Sequence, residues 1–186
     1  MAQAFPPFSI YKTVTLAHFT RYTVMNVILR YYLLFLLVLT GCSKQEYANE
    51  TYEGVVDTIA KQDVQIQAYI SSHNLTMQKD PTGMYYKIYL AGDSLRMTEN
   101  SVPTIIYTRS NLQDSLLDAS FGSTNFDGRK LKDHIVGWQI GLQQIGKGGK
   151  ILMIIPSPLA FGKEAVGNII PANTILVCEV ELVDFQ

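Results

Sequence analysis

The chain is short of cysteine, of excess charge and of any recognisable nucleophile. Two cysteines in 186 residues, Cys42 and Cys178, can build neither a disulfide scaffold nor a four-cysteine zinc site. With 15 Lys+Arg against 16 Asp+Glu and a pI near 6.3, the chain has no global basic field, and nucleic acid is not an expected partner. His18, His73 and His134 are far apart and lack carboxylates at ligand spacing, so no metal is expected, and no cofactor motif is present. Gly141 to Gly148 comes close to a phosphate-binding loop, but Gly148 stands where Ser or Thr would hold magnesium. That stretch reads as the end of a helix and a turn. Asp133-His134 is read as part of a strand, where neighbouring side chains point to opposite faces, so it makes no acid–base pair. Hydrolysis and group transfer find no support. Hydrophobic residues make up 47%, enough for a real core.

The leader lacks acid altogether. Residues 1–41 carry Lys12, Arg21 and Arg30 and no Asp or Glu, whereas the rest of the chain holds 12 basic and 16 acidic side chains. A basic, acid-free leader ahead of an acidic body reads as a targeting segment. Tyr31 to Leu39 is an uncharged apolar run. It is far shorter than the roughly 20 residues of a membrane span and within the roughly 7–15 of a secretory h-region. Leu39-Thr40-Gly41-Cys42 closes the run and resembles the bacterial lipobox. The resemblance implies a signal peptide over 1–41, cleavage before Cys42 and diacylglycerol on its thiol. Cys42 is then lost to any disulfide with Cys178, and several acyl chains anchor the protein to a membrane. Ser43, in place of Asp, favours the periplasmic face of the outer membrane within the bacterial cell envelope. Met25 to Arg30 would open a compact signal, so Met25 is the expected true start.

Residues 42–79 are expected to form a polar tether and an amphipathic helix. Tyr52, Val55, Val56, Ile59, Ile66, Tyr69 and Ile70 recur at helical spacing, with Lys61, Gln62, Asp63 and Gln67 between them. The helix is placed at 53–72, and its stripe packs on the domain behind it or forms a dimer surface. Asp80-Pro81-Thr82-Gly83 is a turn and sets the boundary of a domain over 80–186. Beyond it the period falls to two, with Met84, Tyr86, Ile88 and Leu90 on one face of a half-buried strand. Further strands are expected at 102–108, 150–155 and 174–183, and a short helix at 137–145. The fold class is α+β with an antiparallel sheet.

The last third carries an ordered set of motifs. Val136-Gly137-Trp138 comes first, then Pro156-Ser157-Pro158-Leu159-Ala160-Phe161-Gly162, then Ile170-Pro171, Leu176-Val177 and Val180-Glu181-Leu182. In combination they resemble the FKBP-type peptidyl-prolyl cis-trans isomerases. The resemblance implies a five- or six-stranded antiparallel sheet wrapped around one short helix, acting on proline-containing polypeptides. It makes Trp138 the pocket floor, Tyr107 and Asp118 its polar members, and Ile135, Phe161 and Ile170 its apolar walls. Leu117, Phe126, His134 and Cys178 are further pocket candidates. Three positions depart from the family pattern: Leu117 and Cys178 replace Phe, and Phe161 replaces Tyr with loss of a hydroxyl. The resemblance implies isomerisation without a covalent step. A weakly catalytic envelope chaperone or assembly module on the same fold is the alternative.

If Cys42 is the acylated first residue, intact-mass analysis of membrane-extracted protein shows loss of residues 1–41 and added lipid. An uncut, unmodified chain in the soluble fraction contradicts the lipobox reading.

Overall fold

The computed structural model describes residues 52–186; the leader, Cys42 and the tether lie outside the described residues. Tyr52–Ser72 forms helix α1, within one residue of the expected start and at the expected end. Its length and spacing arise from the apolar stripe, and His73 and Asn74 close it, Asn74 with φ at 50°. Strands follow at Gln78–Lys79 (β1), Tyr85–Leu90 (β2), Pro103–Ser110 (β3) and Leu116–Ala119 (β4). Helix α2 spans Val136–Leu142, followed by β5 at Lys150–Ile155 and β6 at Leu176–Phe185. Short 3-10 turns sit at Phe126–Gly128, Leu131–Asp133 and Ser157–Leu159. Among the described residues no helix is long and apolar enough to cross a membrane.

The six strands form one sheet in the order β1-β2-β5-β6-β3-β4, and every pairing is antiparallel. The expected strand at 150–155 has those bounds, whereas β3 and β6 run two residues further than expected. Helix α2 is shorter than expected, because the chain turns into Gly146, Gly148 and Gly149 soon after Leu142. The strands β1 and β4 carry too few residues to show a period, and sequence reading missed them.

Two apolar layers cover the centre of this sheet. On one side α2 lies across β5, with Trp138 and Leu142 packed on Ile151, Met153 and Ile155. Gly137 and Gly141 make that approach possible: a methyl at either would overlap Ile155 or Met153. On the other side α1 places Ile66 against Tyr85, Ile154 and Ile175. Residues 151–155 are all buried for this reason, and a strand covered on both faces reads as an unbroken apolar run. Strand β2 departs from the expected alternation. Met84 and Tyr85 are both buried, one under each layer, while Ile88, Tyr89 and Leu90 run beyond the cover and are exposed.

The stripe of α1 also differs from its expected composition. Tyr52, Val56 and Val64 face outward, and the buried face includes Gln62. Its Nε2 donates to Ser157 Oγ at 2.9 Å, and its Oε1 accepts the Ser157 N–H at 2.7 Å. A buried amide is tolerated here because both ends are satisfied. Fully buried Ile66 is the main apolar anchor of α1. Ile66→Ala is expected to cost about 2–5 kcal/mol in urea unfolding. A cost near zero would mean that α1 contributes nothing to the stability of the sheet.

Candidate functional site

A cavity of about 290 Å³ opens between the start of α2, the turns before it and the 161–170 segment. Trp138, in the first turn of α2, is only 2% exposed and forms its floor. Ile135, Phe161 and Ile170 line it, together with Asp118, Phe126 and His134. The Trp138 ring meets Tyr107 edge-on at 5.2 Å, Phe126 at 5.8 Å and His134, tilted, at 5.6 Å between centroids. Such edge contacts are a favoured arrangement of aromatic quadrupoles and hold the floor rigid.

The polar side of the cavity is built by strand register. Arg109 on β3 pairs across to Asp118 on β4 and to Cys178 on β6. Side chains alternate along a strand, so Tyr107 and Arg109 share one face. The Arg109 guanidinium forms an ion pair with Asp118 through Nη2, and the Tyr107 hydroxyl donates to the same carboxylate oxygen at 2.9 Å. The guanidinium carbon lies 4.9 Å from the Tyr107 ring centroid, 5.2 Å from Trp138 and 5.6 Å from Phe161. Burial, with a smaller contribution from Asp118, raises the Tyr107 phenol above its ordinary value against the opposing pull of Arg109, so it remains a donor.

Some expected members lie elsewhere. Tyr107 stands behind the lining and holds Asp118, and Leu117 packs partly buried against the core. Cys178 is fully buried in that core, outside the cavity lining, where burial pushes its thiol up to about 12. The reading of Asp133-His134 as strand residues is corrected. Asp133 ends a 3-10 turn with His134 just after it, and both border the cavity. Sequence reading missed Arg109, Arg129, Val166 and Ile169 in the lining. For Arg109 a signal was available, since it lies two residues beyond Tyr107 on the same strand. Among the described residues no cluster of three or more His, Cys, Asp or Glu could hold a metal.

Residues 105–183 match the family described as FKBP-type peptidyl-prolyl cis-trans isomerase. This stretch is similar to an FKBP-type domain. Among curated relatives, the isomerase FkpA of Buchnera aphidicola (Schizaphis graminum) is 38% identical over 111 residues, 59% of this chain and 44% of that protein. FkpA of Escherichia coli K12 is 35% identical over 105 residues, 56% of this chain and 38% of its own length. The chain thus spans less than half the length of these relatives. The crystal structure of Escherichia coli FkpA is similar with a TM-score of 0.59 at 20% identity, over 96% of this chain and 99% of that one. A peptidyl-prolyl isomerase structure from Pseudomonas syringae gives 0.57 at 22% identity, over 70% and 95%. At such identity these two support the fold alone.

His134 gives the domain a pH signature. Its imidazole is half-buried, with an edge contact to Phe126 at 5.0 Å. Burial lowers its pKa below 6.5, against a hydrogen bond to the Arg129 carbonyl that raises it. The unfolded chain binds this proton more readily than the folded one. The linked stability is therefore complete above pH 6.5 and declines as pH falls below it. Exposed His73 has the opposite sign, its pKa raised by the Tyr69 carbonyl and Asp114. The comparison of His134→Gln with wild type isolates the buried group. Urea unfolding from about pH 5 to 7.5 should show a shallower acid slope in the variant. Equal slopes would mean that folding leaves the affinity of His134 for its proton unchanged.

Proposed function

We propose that the chain is a peptidyl-prolyl cis-trans isomerase that assists the folding of secreted or envelope proteins. The observation that carries this reading is the Trp138 floor, walled by Ile135, Phe161 and Ile170, with a single neutralised ion pair on its rim. Rotation about an X–Pro bond meets a barrier of about 18–20 kcal/mol because amide resonance is lost on twisting. The twisted amide has a less polar carbonyl than the planar one. An apolar cavity therefore favours the transition state over the ground state, which is catalysis by differential binding. The Ile135 N–H, at the N-cap of α2, is suited to hold a substrate carbonyl while the prolyl ring sits on Trp138. Asp118 and Tyr107 shape the cavity and exchange no proton. Catalysed isomerisation matters because the uncatalysed reaction takes tens to hundreds of seconds and can limit folding.

Two further parts of the reading concern the rest of the chain. Cys42, at the end of the lipobox-like motif, is proposed as a lipid anchor that keeps the domain at the envelope, with the outer membrane favoured. Residues 80–186 are proposed as the isomerase domain, with 42–79 as an appended tether and helix. The outward residues Tyr52, Val56 and Val64, each 48% exposed or more, support contact with a second copy or with clients. They also support the second reading, a weakly catalytic chaperone on the same fold.

A proline-isomerisation assay on residues 43–186 separates the two readings. Wild type accelerates a prolyl tetrapeptide with a rate nearly flat between about pH 6.5 and 8, since no catalytic group titrates there. Trp138→Leu removes the floor and lowers kcat/KM about tenfold, equivalent to 1.4 kcal/mol of barrier. Asp118→Asn lowers it less, and Phe161→Tyr is tolerated. Folded wild type that is no faster than buffer would leave the chaperone reading in place.

A further inference from the structure

We propose that Arg109 is a substrate-binding residue of the cavity, its guanidinium donating a hydrogen bond to a backbone carbonyl of the bound peptide. That the ligand is a prolyl peptide rests on the isomerase reading. The donor itself is argued from the cavity.

The Arg109 side chain lines the cavity and is only 11% exposed. Burying a charge is costly unless it is paired and its polar groups find partners. Asp118 supplies the countercharge, and the rings of Tyr107, Trp138 and Phe161 supply electron-rich faces within 6 Å. The donor count is less complete. A guanidinium has five N–H groups. The two hydrogen bonds described for Arg109 both leave from Nη2, to Asp118 Oδ2 and to Tyr107 Oη. Its Nε is buried and has no partner. The group is thus fixed in position, neutralised by Asp118 and underused as a donor.

An extended peptide carries the group that is missing. Every residue in it brings a carbonyl oxygen with two lone pairs. The neighbouring wall of Phe161 and Ile170 offers no side-chain donor, and the side-chain donors Arg129 and His134 of the lining come from the turns before α2. Stacking also matters. A planar guanidinium held by its faces keeps its N–H groups around its edge, where a lysine has one compact ammonium on a flexible stem. If Arg109 served only as the countercharge of Asp118, a lysine would replace it. As a donor to substrate as well, it needs the planar fork.

Trp138 is the chain's single tryptophan and forms the cavity floor, so its fluorescence reports occupancy whether or not turnover occurs. The test titrates the full chain with a prolyl tetrapeptide and with copies in which each carbonyl flanking the prolyl bond is replaced, one at a time, by a thiocarbonyl, a weaker acceptor. In wild type, one replacement weakens binding roughly three- to tenfold, the loss expected for one charge-assisted hydrogen bond made poorer. In Arg109→Leu the parent peptide binds about tenfold more weakly, and the replacement that Arg109 senses in wild type costs nothing further, whereas a carbonyl held by the Ile135 N–H keeps its sensitivity. KM rises accordingly, and kcat/KM falls at least as far as the affinity. Arg109→Lys preserves the charge facing Asp118 and guards against loss of fold; it too shows no sensitivity to the replacement. Adding Phe161→Tyr to Arg109→Leu recovers part of the affinity by returning a donor to that wall. Full recovery by Arg109→Lys, or a wild type indifferent to every replacement, overturns the assignment of Arg109 alone. A folded wild type that binds no prolyl peptide overturns the isomerase reading, and this proposal with it.

Discussion

Strand β5 carries apolar side chains on both sides, so the centre of the sheet depends on being covered twice. Helix α2 covers one side through Trp138 and Leu142, and α1 covers the other through Ile66. Burial of a side chain such as Ile66 is worth about 1.5–3 kcal/mol, enough to hold a helix that would be marginal alone. The cavity is a by-product of the first of these layers. Helix α2 is only seven residues long, and its first turn sets Trp138 at the open end of the core, where a ligand can reach the indole. The glycines at 137 and 141 fix how closely that turn can approach β5.

The second constraint is electrostatic. A guanidinium at 11% exposure is compatible with an apolar site only because a carboxylate stands directly across the strand pair. Breaking a buried pair is far more costly than never having made one. Arg109 and Asp118 therefore stand or fall together, and Tyr107 bonds to both. Their joint effect is a neutralised polar edge facing the apolar wall of Phe161 and Ile170, with Arg129, Asp133 and His134 on the side of the turns before α2. That asymmetry gives a bound peptide one orientation in which its carbonyls find donors.

Legibility in the sequence followed the range of each interaction. The α1 helix and β5 were readable because periodicity and an unbroken apolar run are local properties. Trp138, Ile135, Phe161 and Ile170 were readable because motif order carried them, and the structure places all four around one cavity. Gln62 was not, since a polar residue among polar neighbours signals solvent; only the distant Ser157 makes it a buried one. Arg109 was missed for a related reason. Between Thr108 and Ser110 it looks like the solvent face of a strand, and its partners at 118, 138 and 161 come together only in three dimensions. Asp133-His134 failed by a wrong local assumption, a strand where the chain makes a 3-10 turn.

The sheet's outer strands carry a consequence for the proposed work on unfolded chains. Strand β1 has two residues, and β4 has four with a register shift against β3. Short or irregular borders offer few free backbone groups to a passing strand, a common defence against edge-to-edge association. An unfolded client is itself rich in unpaired backbone, so a long open border would capture it as an added strand. Such a complex would dissociate slowly and would hold the client away from the cavity. Truncated borders would leave contact with such a polypeptide to the cavity and not to an added strand.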